Sequence, residues 1–107
     1  MAFHPKTESE FNTIKTEAES KNKLIVVDFS ATWCGPCKRI APVFEALAKQ
    51  TPSVCFIHVD IDQLGSISDA SDVSGVPTFK FFKGGKIVER FSGCAEGRLR
   101  SSIEKFK

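Results

Sequence analysis

Apolar residues change their spacing along this chain, and each change marks an element. Thr7 followed by Glu10 fits a capping box, and Phe11, Ile14 and Ala18 at i, i+3 and i+7 place one apolar stripe on a first helix. Lys21-Asn22-Lys23 interrupts it. Leu24 to Ala31 is almost continuously apolar and β-branched, the pattern of a central strand covered on both faces, and one carboxylate, Asp28, breaks the run. After Cys37 the period becomes helical, with Ile40, Phe44 and Leu47 on one face and Lys38, Arg39, Glu45 and Lys49 mostly on the other. This predicts a second helix that begins near the cysteines, kinks at Pro42 and closes at Gln50-Thr51-Pro52-Ser53.

Val54 to Val59 reads as another strand, and Leu64, Ile67 and Ala70 suit a short third helix ending before Gly75. Thr78 to Lys83 and Lys86 to Ser92 form two strands around Lys83-Gly84-Gly85-Lys86, a hairpin signal. Leu99, Ile103 and Phe106 mark a last helix, poorly capped because Ala95 offers no side-chain acceptor and Gly97 weakens the first turn. A short edge strand is expected near Ala2 to His4. The alternation calls for parallel strands with crossover helices, whereas the hairpin requires antiparallel pairing. The expected fold is therefore α/β, a mixed five-stranded sheet flanked by four helices.

Composition narrows the function. A chain of 107 residues reads as one domain, residues 1–107, without repeat or linker, and its hydrophobic (41%) and charged (26%) fractions are those of a globular protein. The net charge of +2 comes from Lys and Arg scattered among Asp and Glu, so no nucleic-acid partner is implied. Met1 to Lys6 has neither a basic n-region nor an apolar h-region, and no apolar run approaches a membrane span; the expectation is a cytoplasmic protein. In that reducing compartment four cysteines do not suggest a structural disulfide framework.

The chemistry concentrates in Trp33-Cys34-Gly35-Pro36-Cys37. A strand running into Cys-Gly-Pro-Cys and then a helix places Cys34 at a helix N-terminus, where unpaired N–H groups and the macrodipole favour the thiolate, the nucleophilic form. Cys37 lies one helical turn on, within reach of the first sulfur, and Pro36 suits the opening turn. The reaction indicated is thiol–disulfide exchange: Cys34 attacks a substrate disulfide, and Cys37 resolves the mixed disulfide, leaving a redox-active Cys34-Cys37 disulfide for another reductant to open. Zinc needs about two further ligands. Cys55 and Cys94 stand singly, and neither His4 nor His58 pairs with a cysteine at finger spacing, so no metal is expected.

Trp33 to Cys37, the apolar strand carrying Asp28, and Gly75-Val76-Pro77-Thr78-Phe79 followed by Phe82-Lys83-Gly84-Gly85 together resemble the thioredoxin family, over essentially the whole chain. A lowered thiol pKa in the C-x-x-C motif is an established property of that family. The resemblance implies the thioredoxin fold. It also implies a cis proline at Pro77 facing the disulfide, with the Val76 backbone free to pair with an extended substrate and Trp33, Val76, Pro77 and Gly93 lining a shallow apolar groove. Asp28 would lie beneath Cys37 as its general base, consistent with a carboxylate whose ionisation is opposed by an apolar strand.

The implied activity is protein disulfide reduction, recharged by an NADPH-dependent flavoprotein, thioredoxin reductase. The chain has no Gly-rich dinucleotide fingerprint, so no bound cofactor is expected. A glutaredoxin-like reductase recharged by glutathione, and a redox-sensitive binding module using the groove to dock a partner, are the competing readings.

Three positions depart from the pattern or lie outside it. His58 stands where many bacterial thioredoxins have Lys, and as a candidate pKa modulator it would make any coupling to Asp28 sensitive to pH near 7. Cys55, in an apolar strand, reads as a structural residue. Cys94, beside Gly93 and the implied groove, is a candidate regulatory thiol, able to link two otherwise monomeric copies on oxidation.

Overall fold

The apolar run around Asp28 becomes a strand with no exposed position. In the computed structural model, which describes all 107 residues, β1 spans Ile25–Ser30 and is buried throughout. It is sealed by four helices, α1 (Glu8–Ser20), α2 (Gly35–Gln50), the single-turn α3 (Ile61–Leu64) and α4 (Glu96–Phe106). Strands β2 (Cys55–Asp60), β3 (Thr78–Lys83) and β4 (Lys86–Ser92) complete a sheet in the order β2-β1-β3-β4. β1 pairs parallel with β2 and antiparallel with β3, and β3 pairs antiparallel with β4, so the sheet is mixed as the alternating elements and the hairpin require.

Strand alternation divides the core. Leu24, Val26, Phe56, Phe79, Phe81 and Phe91 pack with residues of α2 and α4, while Ile25, Val27, Phe29, Ile57, Val59 and Phe82 pack with residues of α1 and the α3 region. By that parity Asp28 shares the α2 face with Val26, and His58 shares it with Phe56. The parallel register sets Asp28 opposite His58. A one-residue slip would move both to the other face, away from the helix that carries the cysteines.

Local chemistry explains most boundaries. Thr7 caps α1, its hydroxyl accepting from the Glu10 N–H at 3.1 Å, and the Glu10 carboxylate reaches back to the Lys6 N–H at 3.2 Å, one residue earlier than a standard capping box. Gly84 and Gly85 turn the β3–β4 hairpin with φ of 62° and 77°, the left-handed pair that a two-residue turn needs. The α4 start lacks a side-chain cap, as Ala95 leads one to expect.

Two expectations require correction. The sheet has four strands rather than five: near the N-terminus only Phe3 pairs, in an isolated parallel bridge with Ile57. Pro5 has no N–H with which to extend that ladder, and the chain then turns into the Thr7 cap. The third helix is also not continuous. Asp60 caps α3, which stops at Gly65, and a separate 3₁₀ turn follows at Ser68–Ala70. Gly65 weakens helical continuation, and Leu64, Ile67 and Ala70 are nonetheless all buried, as their spacing indicated.

The segment after α3 is fastened by charge. Lys80 of β3 is buried, and its Nζ donates to Asp72 at 2.6 Å and to the Asp69 carbonyl; Lys15 of α1 pairs with Asp69 at 2.6 Å. Asp72 also accepts from Arg90 of β4. The Lys80 and Arg90 cations together hold its carboxyl down to about 2.

Candidate active site

The site begins where β1 ends. The Cys34 N–H donates to the Ala31 carbonyl at 3.3 Å, closing a turn, and Cys34 adopts extended geometry as the N-cap of α2. Gly35 and Pro36 then open the helix. A cysteine at this position presents its sulfur as the capping atom, and the Cys37 N–H donates to Cys34 Sγ at 3.1 Å. That places an oriented amide and the positive end of a helix of 16 residues on one sulfur. Cys34 and Cys37 are joined as a disulfide, with Cα atoms 5.2 Å apart. Both are buried against Ala31, with Ile61 and Val76 packed alongside.

The Gly75–Pro77 loop makes one wall. The Val76-Pro77 peptide is cis, and the Val76 carbonyl oxygen lies 3.6 Å from Cys34 Sγ. Neither the N–H nor the carbonyl of Val76 enters a backbone hydrogen bond. Its neighbours are tied down: the Thr78 hydroxyl donates to the Gly75 carbonyl and contacts Ser92 Oγ at 2.8 Å, and the Gly93 N–H donates to the Pro77 carbonyl at 2.8 Å. Gly93 has φ of 102°, a conformation that disfavours any side chain there. Trp33 stands beside the cysteines with 67% of its surface exposed, and its Nε1–H donates to Asp62 at 2.9 Å.

Asp28 is 1% exposed, and burial pushes its pKa above the ordinary carboxylate range, with the His58 hydrogen bond opposing. His58 Nδ1 lies 3.3 Å from Asp28 Oδ2, and that contact raises the His58 pKa against the opposing effect of burial. The other carboxylate oxygen, Oδ1, is buried without a hydrogen-bond partner. An acceptor of this kind inside a core calls for a functional account. A cavity of about 270 Å³ lies next to the pair, lined among others by Cys37, Lys38, His58 and Asp60. His58 thus touches the buried carboxylate and shares a cavity with the second cysteine.

The remaining cysteines stand apart from the disulfide. Cys55 is buried, and desolvation pushes its thiol up to about 11, which keeps it protonated and unreactive. Cys94 is exposed in the loop following Gly93. Several site residues escape a reading of the sequence. Asp62 holds the Trp33 ring, and Asp60, which accepts from the Asp62 N–H at 2.9 Å, fixes the turn that presents it. An Asp at the end of a strand is a capping signal that would have located this turn. His4 and Glu45, 3.1 Å apart, approach His58 from elements 41 residues apart in sequence, and no local pattern announces them. No cluster of three or more His, Cys, Asp or Glu side chains is placed to hold a metal ion, and no helix is long and apolar enough to cross a membrane.

Comparison with known proteins agrees with this geometry. The family model described as Thioredoxin matches residues 3–105. Thioredoxin from Gallus gallus is 46% identical over 96 residues, covering 87% of this chain and 91% of that protein. Thioredoxin-1 from Saccharomyces cerevisiae is 43% identical over 103 residues, 96% of each chain. The crystal structure of Fasciola hepatica thioredoxin superposes with a TM-score of 0.89 at 45% identity, covering 98% of this chain and 99% of the other. The match over residues 3–105, on a fold that carries the capped Cys34-Cys37 pair, shows that this chain belongs to the thioredoxin family, dithiol–disulfide oxidoreductases that need no bound cofactor.

Proposed function

We propose that Cys34 is the attacking thiolate and Cys37 the resolving thiol of a general reductase of protein disulfides. The observation that carries this assignment is the Cys37 N–H directed at Cys34 Sγ. An amide donor favours the anion of the sulfur it faces, so the two thiols of the reduced protein are unequal. Cys34 thiolate attacks one sulfur of a substrate disulfide, the other substrate sulfur leaves as a thiolate, and a mixed disulfide remains. Asp28 takes the proton of Cys37, whose thiolate then attacks Cys34 Sγ. The second substrate thiolate leaves and the Cys34-Cys37 disulfide forms. Two electrons have passed to the substrate, and thioredoxin reductase, the usual partner of the family, restores them from NADPH.

The substrate surface follows from Val76. Its N–H and carbonyl make no backbone hydrogen bond and the carbonyl lies 3.6 Å from Cys34 Sγ, so an extended peptide can pair there as an added strand while Trp33, Pro77 and Gly93 flank it. Parity supports the role of Asp28: it lies on the sheet face covered by α2, which begins at the cysteines. This reading also takes residues 1–107 as one monomeric domain working in the cytoplasm. Cys94, exposed at the edge of this surface, is its regulatory thiol. After mild peroxide treatment a disulfide-linked dimer is expected on a non-reducing gel and is lost in Cys94→Ser; a dimer that persists in the variant removes that role.

Insulin reduction assigns the two sulfurs. With NADPH and thioredoxin reductase, Cys34→Ser is expected to lose activity and to form no substrate adduct. Cys37→Ser retains attack and accumulates a Cys34-linked mixed disulfide detectable by mass spectrometry. An adduct on Cys37 in the Cys34→Ser protein would reverse the assignment, and recharging by glutathione alone would favour a glutaredoxin-like cycle.

The raised pKa of Asp28 fixes the direction of two pH effects. As pH climbs above the ordinary carboxylate range the unfolded chain ionises this group first, so the native state binds more protons and loses stability with rising pH. Asp28→Asn is therefore expected to raise the urea midpoint at pH 8, with the advantage shrinking as pH falls toward 4. It should also slow resolution of the mixed disulfide by about a hundredfold and flatten its rise with pH. Wild-type resolution rates in a stable Asp28→Asn protein would rule out the base.

A further inference from the structure

We propose that His58 is the proton relay of Asp28, and that His4, seated against its ring and held by Glu45, positions it. The proposal rests on the reading of Asp28 as the base for Cys37. A carboxyl sealed inside a sheet, whose ionisation burial opposes, needs a path to solvent to become the base that takes the Cys37 proton. The same path read backwards supplies a proton for Cys37 when the reductase reopens the disulfide. Asp28 is 1% exposed and its Oδ1 has no hydrogen-bond partner, whereas Oδ2 contacts His58 Nδ1 at 3.3 Å. The His58 side chain is 26% exposed and lines the cavity of about 270 Å³ that it shares with Cys37. One imidazole therefore spans the distance from a dry carboxylate to accessible space.

Imidazole is suited to this task because it can accept at one nitrogen and release from the other. The Asp28 proton passes to Nδ1, giving imidazolium beside carboxylate, and the Nε2 proton leaves to water in the cavity. Exchange with solvent returns the neutral ring to the tautomer that can accept again. The proton that moves outward on resolution is matched by one that moves inward to Cys37 on re-reduction, and no electron is transferred. Around the ring stand the carboxylates of Asp28 on β1, Asp60 on β2 and Glu45 on α2, with the Lys38 ammonium on the cavity wall. The three acids favour the imidazolium form that transfer passes through.

His4 is placed by backbone. The Phe3 N–H donates to the Phe56 carbonyl and the His58 N–H to the Phe3 carbonyl, each at 2.8 Å, which fastens the N-terminal segment along β2. The His4 ring consequently rests on the His58 ring, with centroids 5.0 Å apart, and its Nε2 meets Glu45 Oε2 at 3.1 Å. The bridge that replaces the expected fifth strand thus packs a second ring against His58.

Reductase-coupled turnover at pH 7 in dilute buffer tests the relay by chemical rescue. His58→Ala is expected to lose about tenfold in rate, the equivalent of one pKa unit in the driving force for deprotonating Asp28. Added imidazole should restore turnover in a saturable manner, and pyrrole, of the same size but without a basic nitrogen, should not. His58→Gln keeps a polar group next to Asp28, so it is expected to fold even if His58→Ala does not, and to remain slow. Turnover by His58→Gln within twofold of wild type, or equal rescue by pyrrole and imidazole, overturns the relay. Asp28→Asn distinguishes the two levels: if it slows resolution while the His58 variants do not, the base stands and the relay fails.

Discussion

A backbone amide pointing at a sulfur organises this protein. The Cys37 N–H can reach Cys34 Sγ only if α2 starts immediately after Cys34, and α2 can start there only because β1 ends in a turn closed by the Cys34 N–H and the Ala31 carbonyl. Gly35 and Pro36 are compatible with that opening turn, and Pro36 gives up no donor that the helix needs. The rest of the fold keeps this junction in place. Burial of every β1 residue fixes the strand end, and Ile40, Phe44 and Leu47 hold the helix against the sheet.

The same register that builds the core brings the proton chemistry into place. Even-numbered positions of β1 and β2 face α2, so the side-chain period of two is enough to put Asp28 and His58 on the helix side, and parallel pairing makes them neighbours. Hydrophobic packing resists any slip that would separate them. Ionising Asp28 is costly where it sits, and that cost is the property that lets the carboxylate exchange a proton closer to neutrality than an exposed one does. On the role proposed for Asp28, stability and function meet in one residue, with the His58 contact opposing the effect of burial on its ionisation.

Much of this was legible in the sequence because it depends on short-range chemistry. The Thr7 cap, the helical period after Cys37, the Gly84-Gly85 turn and the unbroken apolar character of β1 are local signals, and each appears in the structure. Cys55 reads correctly as a buried thiol for the same reason. The features that escaped are contacts between distant segments. Nothing near Trp33 announces Asp62, nothing near His58 announces His4 or Glu45, and Lys80 sits in its strand like any charged residue until Asp69 and Asp72 fold over it. The fifth strand was overestimated because the apolar and polar residues around Phe3 resemble an edge strand, whereas Pro5 and the Thr7 cap leave room for a single bridge.

Alkylation of the reduced protein tests the central claim most directly. If the helix terminus and the Cys37 amide stabilise the sulfur anion, Cys34 will react with iodoacetamide at pH 7 at least about tenfold faster than the cysteine of an unstructured peptide, because more of it is present as thiolate. Cys37 in the same molecule will lag behind. Reaction of Cys34 at the peptide rate, or of Cys37 ahead of it, would contradict the account.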